Sequence, residues 1–152
     1  MTERRDGPWW VAAQTGLFVG CLAAPLVRRR RLPASVRIGG LATMAGSVAW
    51  MAWAYRSLGA SHSAWVGPAA GAELRTSGAY GVVRHPVYAG WIGLAGGWAL
   101  ATGSEPALAG AALIGLFYAA RAATEERLLA ARTAGYSAYR GRVPQRFIPG
   151  VY

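Results

Sequence analysis

One short stretch near the middle of the chain combines side chains that bind charged and aromatic groups. Residues 77–90 read SGAYGVVRHPVYAG, which places an Arg, a His and two Tyr around Pro86, directly before an apolar run. Two apolar runs later, adjacent carboxylates follow at Glu125 and Glu126. Polar and charged side chains therefore lie at both open ends of one expected helical hairpin, which indicates a functional site at a membrane surface.

The composition indicates a single membrane domain. The chain has 152 residues, of which 54% are hydrophobic and 14% charged, whereas soluble domains are about a quarter charged. The net charge is +10, and the Arg residues flank apolar runs, which fits lipid headgroups better than nucleic acid. Cys21 stands alone, so no internal disulfide is expected, and no spacing of His, Cys and carboxylates suggests a metal.

Four apolar segments predict four membrane helices. They cover roughly residues 9–27, 38–55, 86–101 and 107–125. The first is close to the ~20 residues that span a bilayer, and its flanking charges favour a retained helix over a cleaved signal. We expect an all-α polytopic membrane protein of one domain. It comprises two spans in 1–55, a motif-bearing loop in 56–87, a helical hairpin in 88–122 and a tail in 123–152.

The expected hairpin brings the two groups of polar residues together. Pro86 fits the first turn of a helix, where no intrahelical N–H bond is lost, and glycines in both hairpin helices favour close packing. The Arg84–His85 pair should then lie near Arg121 and Glu125. Most Arg residues lie on the side of this site, so the positive-inside rule puts the site in the cytosol. The dense Arg cluster in 28–37 argues for the opposite orientation.

The second half of the chain resembles the isoprenylcysteine carboxyl methyltransferases and their phospholipid methyltransferase relatives. The resemblance runs from about residue 74 to 149 and rests on four strings in order, SGAYGVVRHPVYAG, EERLL, GYSAY and RVPQRFIPG. Such proteins often carry a His before the Leu-x-Thr-x-Gly string that enters the motif. This chain has Ala72 and Glu73 there and no His. A cofactor contact at Leu74 is therefore expected to come from its backbone and not from its side chain.

The resemblance implies an integral membrane enzyme that uses S-adenosylmethionine and releases S-adenosylhomocysteine. It implies that Arg121 contacts the acceptor, and we assign Arg121 to the catalytic site without naming a general base. The residues that the resemblance places at the cofactor are Tyr80, His85, Pro86, Val87, Tyr88 and Glu125. We add Leu74 and Arg84 to this set.

The chemistry of these residues suits such a cofactor. The helix start at Pro86 offers free N–H groups to a carboxylate, and Arg84 or His85 adds to them. Glu125 can accept from ribose hydroxyls or pair with an ammonium, while Tyr side chains can stack on adenine or face a sulfonium.

The acceptor is left open by the sequence. A carboxylate of the isoprenylcysteine type is ionised at neutral pH, needs no base and suits a bidentate Arg121; it is the first expectation. A phospholipid amine or a small lipophilic acid or thiol is the alternative, and an amine or thiol would lose a proton first, to Glu126 or His85. Membrane lipids and a lipophilic or lipidated substrate are the expected partners, and nucleic acid is not.

Two other classes of function fit part of the pattern. One is a non-enzymatic membrane protein that retains the fold without cofactor binding, which a cofactor-dependent stabilisation would exclude. The other is a lipid-surface binding protein that works through the Arg-rich C-terminal end, where single Arg residues typically anchor helices at headgroups. Binding of the tail to liposomes with no cofactor effect would favour that class.

Overall fold

The computed structural model describes residues 9–58 and 74–151, and every regular element in these ranges is helical. The all-α expectation is therefore confirmed for this part of the chain. Ala72 and Glu73, where the sequence departs from the pattern of the family it resembles, lie outside the described residues. The elements in chain order are α1 (Trp9–Ala23) with a 3-10 turn (Ala24–Leu26), α2 (Ala34–Leu58), a 3-10 turn (Gly78–Gly81), α3 (Pro86–Thr102), α4 (Glu105–Arg132) and α5 (Tyr136–Arg142).

Several boundaries differ from the sequence expectation. The second helix is longer at both ends than 38–55, and the fourth begins at Glu105 because the Ser104 hydroxyl accepts a hydrogen bond from the Ala107 N–H at 3.2 Å. A side-chain cap of this kind extends a helix over its first turn. The absence of Pro and Gly between 116 and 134 predicts that the fourth helix continues past its apolar run towards Gly135, and the helix does continue to Arg132. The short helix α5 is one that the hydrophobic pattern does not reveal.

The α2–α3 contact depends on glycine. A Cβ on Gly40 would lie 2.5 Å from the backbone N of Ala101, and one on Gly97 would lie 2.7 Å from the carbonyl oxygen of Gly40. The two backbones therefore approach more closely than any side chain allows, which is the packing mode favoured between membrane helices. At the end of α3, Gly103 has a φ of 67° and turns the chain into α4.

The core lies where α1, α3 and α4 meet, and it is built from small side chains. Its buried members include Cys21, Ala95, Ala107 and Ala111, with Ile114 and Tyr118 fully enclosed towards the open end of the hairpin. Cys21 packs against Gly110 and its thiol lies 3.5 Å from the Ala107 carbonyl oxygen, so Cys21 serves as a packing residue of this core.

The outer surface carries many large apolar side chains. Large aliphatic residues on α1, α2 and α4 are more than half exposed, among them Val19, Leu22, Ile38, Leu41, Leu113 and Leu116. Such a surface fits lipid contact, since soluble proteins rarely expose large apolar patches. Two of the described helical stretches, Trp9–Leu26 and Glu105–Arg132, are long and apolar enough to cross a membrane. The expectation of four spans remains a prediction.

Candidate functional site

The start of α3 is joined to the C-terminal segment by backbone hydrogen bonds. The N–H of Arg84 donates to the carbonyl of Gln145 and the N–H of His85 donates to the carbonyl of Arg146, both at 2.9 Å. Pro86 then occupies the first turn of α3, and its carbonyl accepts from the indole N–H of Trp50 at 2.8 Å. The motif is thus held between α2 on one side and the C-terminal segment on the other.

Glu126 is the centre of a buried ionic cluster. Its side chain is 5% exposed, and its Oε1 accepts from Arg84 Nε at 3.0 Å and lies 3.2 Å from His85 Nε2. Arg146 donates to both carboxylate oxygens, through Nε at 3.1 and 3.2 Å and Nη2 at 2.8 Å. A carboxylate contacted by two guanidinium groups and an imidazole has its acceptor positions filled, so Glu126 has little capacity left for a ligand or a proton in transit.

The neighbouring carboxylate has a different environment. Glu125 Oε2 accepts from the Tyr88 hydroxyl at 2.9 Å and lies 3.9 Å from His85 Nδ1, and its side chain is 23% exposed. The Tyr88 hydroxyl in turn accepts from Arg121 Nε at 3.1 Å, and the Arg121 guanidinium lies 5.9 Å from the Tyr88 ring centre. The Tyr88 hydroxyl therefore connects a largely buried cation to a carboxylate that retains access to solvent.

Aromatic rings build one wall of the site. His85 stacks on Tyr88 with ring centres 5.3 Å apart, and Tyr88 stacks on Tyr118 at 4.7 Å. The ring of Phe147, from the C-terminal segment, lies tilted beside His85 with ring centres 6.0 Å apart. Rings held in this way keep a fixed orientation, so the Tyr88 hydroxyl and both imidazole nitrogens are positioned before any ligand arrives.

The remaining sequence-predicted residues lie around this wall. Tyr80 is half-buried in the 3-10 turn, where its carbonyl accepts from the Tyr139 hydroxyl at 2.8 Å, and burial together with the charge of Glu125 raises the pKa of Tyr80 to about 12. Leu74 packs against Tyr139 and its neighbours on α5, and Val87 is half-buried in the first turn of α3. The candidate site residues therefore lie together at the open end of the hairpin, whether they are adjacent or far apart in the sequence.

Tyr136 contributes a buried hydroxyl that has no hydrogen-bond partner among residues 9–58 and 74–151. The residue is 2% exposed and packs with Leu74 and Tyr139. Burial, reinforced by the charge of Glu126, raises the pKa of Tyr136 to about 12, so the hydroxyl keeps its proton at neutral pH. A buried donor of this kind is expected to have a partner, and a bound ligand could supply one.

Two features of the site differ from the sequence interpretation. The Arg-rich end was expected to anchor headgroups, yet Arg146, whose side chain is 40% exposed, pairs with the buried carboxylate of Glu126. Glu126 was a candidate base, but its oxygens are occupied. The RVPQRFIPG string carries Arg146 and was the one available signal for it. Tyr118 and Trp50 were missed because nothing in their local sequence distinguishes them from packing aromatics.

A basic cleft of about 450 Å³ opens between the start of α3 and the C-terminal segment. Its lining residues are Arg84, Arg140, Pro144, Arg146, Phe147, Ile148 and Val151. In the part of the chain that the structure describes, no group of three His, Cys, Asp or Glu side chains is placed to hold a metal ion.

Comparison with known proteins supports the resemblance read from the motifs. The family model described as phospholipid methyltransferase (PEMT) matches residues 36–132, which is more than half of the chain. The match covers most of α2 and all of α3 and α4, together with the SGAYGVVRHPVYAG string at the start of α3. It ends before α5 and before the C-terminal segment that carries Arg146. No curated protein matches the chain.

Proposed function

Because this chain belongs to the phospholipid methyltransferase family, we propose that it transfers the methyl group of S-adenosylmethionine to a lipophilic acceptor at the membrane surface. Family membership makes it a membrane methyltransferase. The cofactor and the acceptor are parts of the proposal. The observation that carries it is the hydrogen-bonded series Arg121–Tyr88–Glu125, which ends in a partly exposed carboxylate at the open end of the hairpin.

The residues at the open end fit this cofactor. The Tyr136 hydroxyl, which has no hydrogen-bond partner within the described ranges, offers a donor, and the Glu125 carboxylate offers an acceptor. A donor and an acceptor suit the carboxylate, ammonium and ribose groups of the cofactor. The N–H groups of Val87 and Tyr88 lie in the first turn of α3, where helix N–H groups have no intrahelical acceptor and favour anions. When bound, the cofactor supplies a methyl group already activated on a sulfonium.

The protein's own contribution is orientation. The His85–Tyr88–Tyr118 stack fixes the ring of Tyr88, and Arg121 donates to the Tyr88 hydroxyl. The hydrogen bond that Tyr88 donates in turn fixes where the Glu125 carboxylate points. Methyl transfer from a sulfonium needs an acceptor aligned with the breaking bond, so fixed groups of this kind account for much of the expected rate.

Two acceptor classes have support. The family match favours the amine of a phospholipid headgroup. The buried Arg121 favours an anion beside it, which would be a carboxylate of the isoprenylcysteine type or the phosphate next to a phospholipid amine. The two differ in proton chemistry, because an amine would lose a proton and a carboxylate would not. Glu126 is saturated by donors, which leaves Glu125 and His85 as acceptors of that proton.

The cytosolic placement of the site is also part of the proposal, and it rests on the distribution of Arg. Ser137 on α5 is exposed, and Cys21, the single native thiol, is buried. Ser137→Cys in a Cys21→Ala background should resist a membrane-impermeant maleimide in intact cells and react after lysis. Labelling of intact cells would show that the site faces the outside of the cell, opposite to the proposed orientation.

A methyl-transfer assay with isotopically labelled S-adenosylmethionine tests the enzyme and its acceptor together. Purified protein is offered phosphatidylethanolamine or a prenylcysteine analogue in the same detergent, and the labelled product is separated by lipid extraction. Label in the first would establish the amine acceptor, and label in the second the carboxylate. The absence of label from both, together with no stabilisation by S-adenosylhomocysteine, would contradict the proposal.

The variant Arg121→Lys separates acceptor from cofactor. Lys keeps the charge but loses the planar fork, so transfer to a carboxylate should fall about tenfold or more with cofactor affinity nearly unchanged. Isothermal calorimetry with S-adenosylhomocysteine gives the affinity. Equal losses of transfer and affinity would assign Arg121 to the cofactor or the fold instead of the acceptor.

A further inference from the structure

The cleft beside the C-terminal segment combines two kinds of lining. The cleft has a volume of about 450 Å³, and its lining includes three arginines, Arg84, Arg140 and Arg146, together with the apolar side chains of Phe147 and Ile148. The lining is therefore both basic and apolar. A ligand that matches both properties has an anionic head attached to a hydrocarbon part.

The charge of the cleft is not balanced within the described residues. Arg84 and Arg146 share one carboxylate, that of Glu126. Arg140 is exposed on α5 and forms no ion pair or hydrogen bond with any residue that the structure describes. The guanidinium groups thus outnumber the acid that contacts them, and the excess positive charge attracts an anion from outside the protein.

The position of α5 puts the cleft at the depth of lipid headgroups. Tyr136, Tyr139 and Val143 pack with Leu129 in the last turns of α4. Arg146, which lines the cleft, pairs with Glu126 of α4, which lies five residues beyond Arg121, or about 7.5 Å at 1.5 Å per residue. The apolar part of α4 ends before Arg121. The cleft therefore lies beyond the hydrocarbon-facing part of α4, in the layer that headgroups occupy.

We propose that this cleft binds the phosphate group of an anionic membrane phospholipid, with Arg140 and Arg146 on the phosphate and the glycerol and first acyl carbons against Phe147 and Ile148. Arg binds phosphate through two parallel N–H donors, and basic pockets at the membrane boundary are suited to lipid head groups. The site requires neither cofactor nor methyl acceptor, so it goes beyond the proposed methyl transfer. A bound lipid would also brace the segment that holds Arg146 on Glu126.

Thermal stabilisation of the full-length, delipidated protein in neutral detergent tests the site. Dioleoylphosphatidylglycerol is the probe, because it is anionic and has neither an amine nor a carboxylate to accept a methyl group. Dioleoylphosphatidylcholine and inorganic phosphate are the comparison ligands. The anionic lipid should raise the melting temperature in a saturable way, and neither comparison ligand should do so at equal concentration.

A pair of variants locates the binding. Arg140→Gln removes a guanidinium that lines the cleft, and Arg142→Gln removes one from the same helix that does not line it. One Arg near a membrane surface contributes about 1 kcal/mol, or roughly fivefold in affinity. Arg140→Gln should therefore weaken binding of the anionic lipid about fivefold, whereas Arg142→Gln should leave it within twofold. S-adenosylhomocysteine affinity should be unchanged in both.

Three results would overturn the proposal. Equal weakening in both variants would mean diffuse attraction to the Arg-rich surface. Stabilisation by inorganic phosphate to the same extent would identify a free-anion site instead of a lipid site. No stabilisation by phosphatidylglycerol would remove the site altogether. If Arg140→Gln does not fold, Arg140→Lys keeps the charge but loses the planar fork, so it should bind the anionic lipid more weakly than Arg142→Lys does. Equal binding by these two variants would contradict the assignment.

Discussion

The two ends of the α3–α4 hairpin each hold a glutamate between two arginines, and they do so at opposite levels of burial. At the closed end, Glu105 is 46% exposed and its partners, at 2.8 and 3.4 Å, are about 60% exposed. At the open end, Glu126 and its partner Arg84 at 3.0 Å are each 5% exposed, and its partner Arg146 at 2.8 Å is 40% exposed. The two guanidinium partners and their distances are similar at both ends, and the open end adds His85 at 3.2 Å from Glu126. The main difference between the two ends is the burial of the glutamate.

Solvent access decides what each cluster contributes. Exposed ion pairs contribute little because water and salt screen them and long side chains lose entropy. A buried cluster cannot be broken without leaving charges unpaired in a medium of low dielectric constant. The open end is also where Glu125, Tyr88 and Arg121 meet. The same ionic chemistry is therefore marginal at one end and determines the shape of the candidate site at the other.

The largest effect is expected for Glu126→Gln. The substitution leaves the buried Arg84 and the Arg146 guanidinium without their carboxylate. Breaking a buried pair typically costs about 3–5 kcal/mol, and the free energy of unfolding in mixed micelles should fall by that order. Cofactor affinity should fall as well, because His85 loses a contact at 3.2 Å. A free energy of unfolding within about 1 kcal/mol of the native value would show that the buried cluster contributes no more stability than an exposed ion pair does.

Glu125→Gln should have the next largest effect, and it should appear in binding. Removing a charged hydrogen-bond partner costs about 1.5–3 kcal/mol, or roughly tenfold to a hundredfold in affinity. Because Glu125 is partly exposed and contacts Tyr88 without an ionic cluster like that of Glu126, stability should change much less. Calorimetry with S-adenosylhomocysteine measures the loss. An unchanged affinity in a folded variant would remove Glu125 from the cofactor site.

Gly40→Ala should disrupt the closed end, where backbone contact and not charge holds the helices together. The new Cβ would lie 2.5 Å from the backbone N of Ala101, which has no freedom to move aside. Overpacking of this kind costs about 1–3 kcal/mol. The control is Gly39→Ala, whose Cβ would meet nothing within 4 Å. Equal stability of the two variants would mean that α2 and α3 do not approach as closely as described.

The smallest effect is expected for Glu105→Gln. Its ion pairs with Arg28 and Arg30 are exposed, and such pairs contribute about 0–1 kcal/mol. The same unfolding experiment as for Glu126→Gln measures the change, so the two substitutions form a matched pair. A loss approaching that of the open-end variant would mean that the closed end is shielded from water, for example by lipid, to a degree that side-chain exposure alone does not indicate.

The sequence was sufficient for elements with a strong local signal. The apolar runs located all four long helices, and Pro86 marked the start of α3 because proline fits a first turn and no later one. Boundaries failed where a side-chain contact set them, as at Ser104, whose cap starts α4 two residues early. The short helix α5 was missed because seven residues with two arginines and two tyrosines show no hydrophobic period.

The sequence alone determined that Arg84 and His85 meet Arg121 and Glu125 at the open end, since a hairpin between 86 and 125 returns to its starting level. Only the tertiary structure decided how the two adjacent glutamates divide their roles. Consecutive residues on a helix point about 100° apart, so Glu126 faces Arg84 and Arg146 while Glu125 faces Tyr88. Arg146 lies twenty residues further along the chain, beyond the reach of any local pattern, and its ion pair follows from the fold of the C-terminal segment.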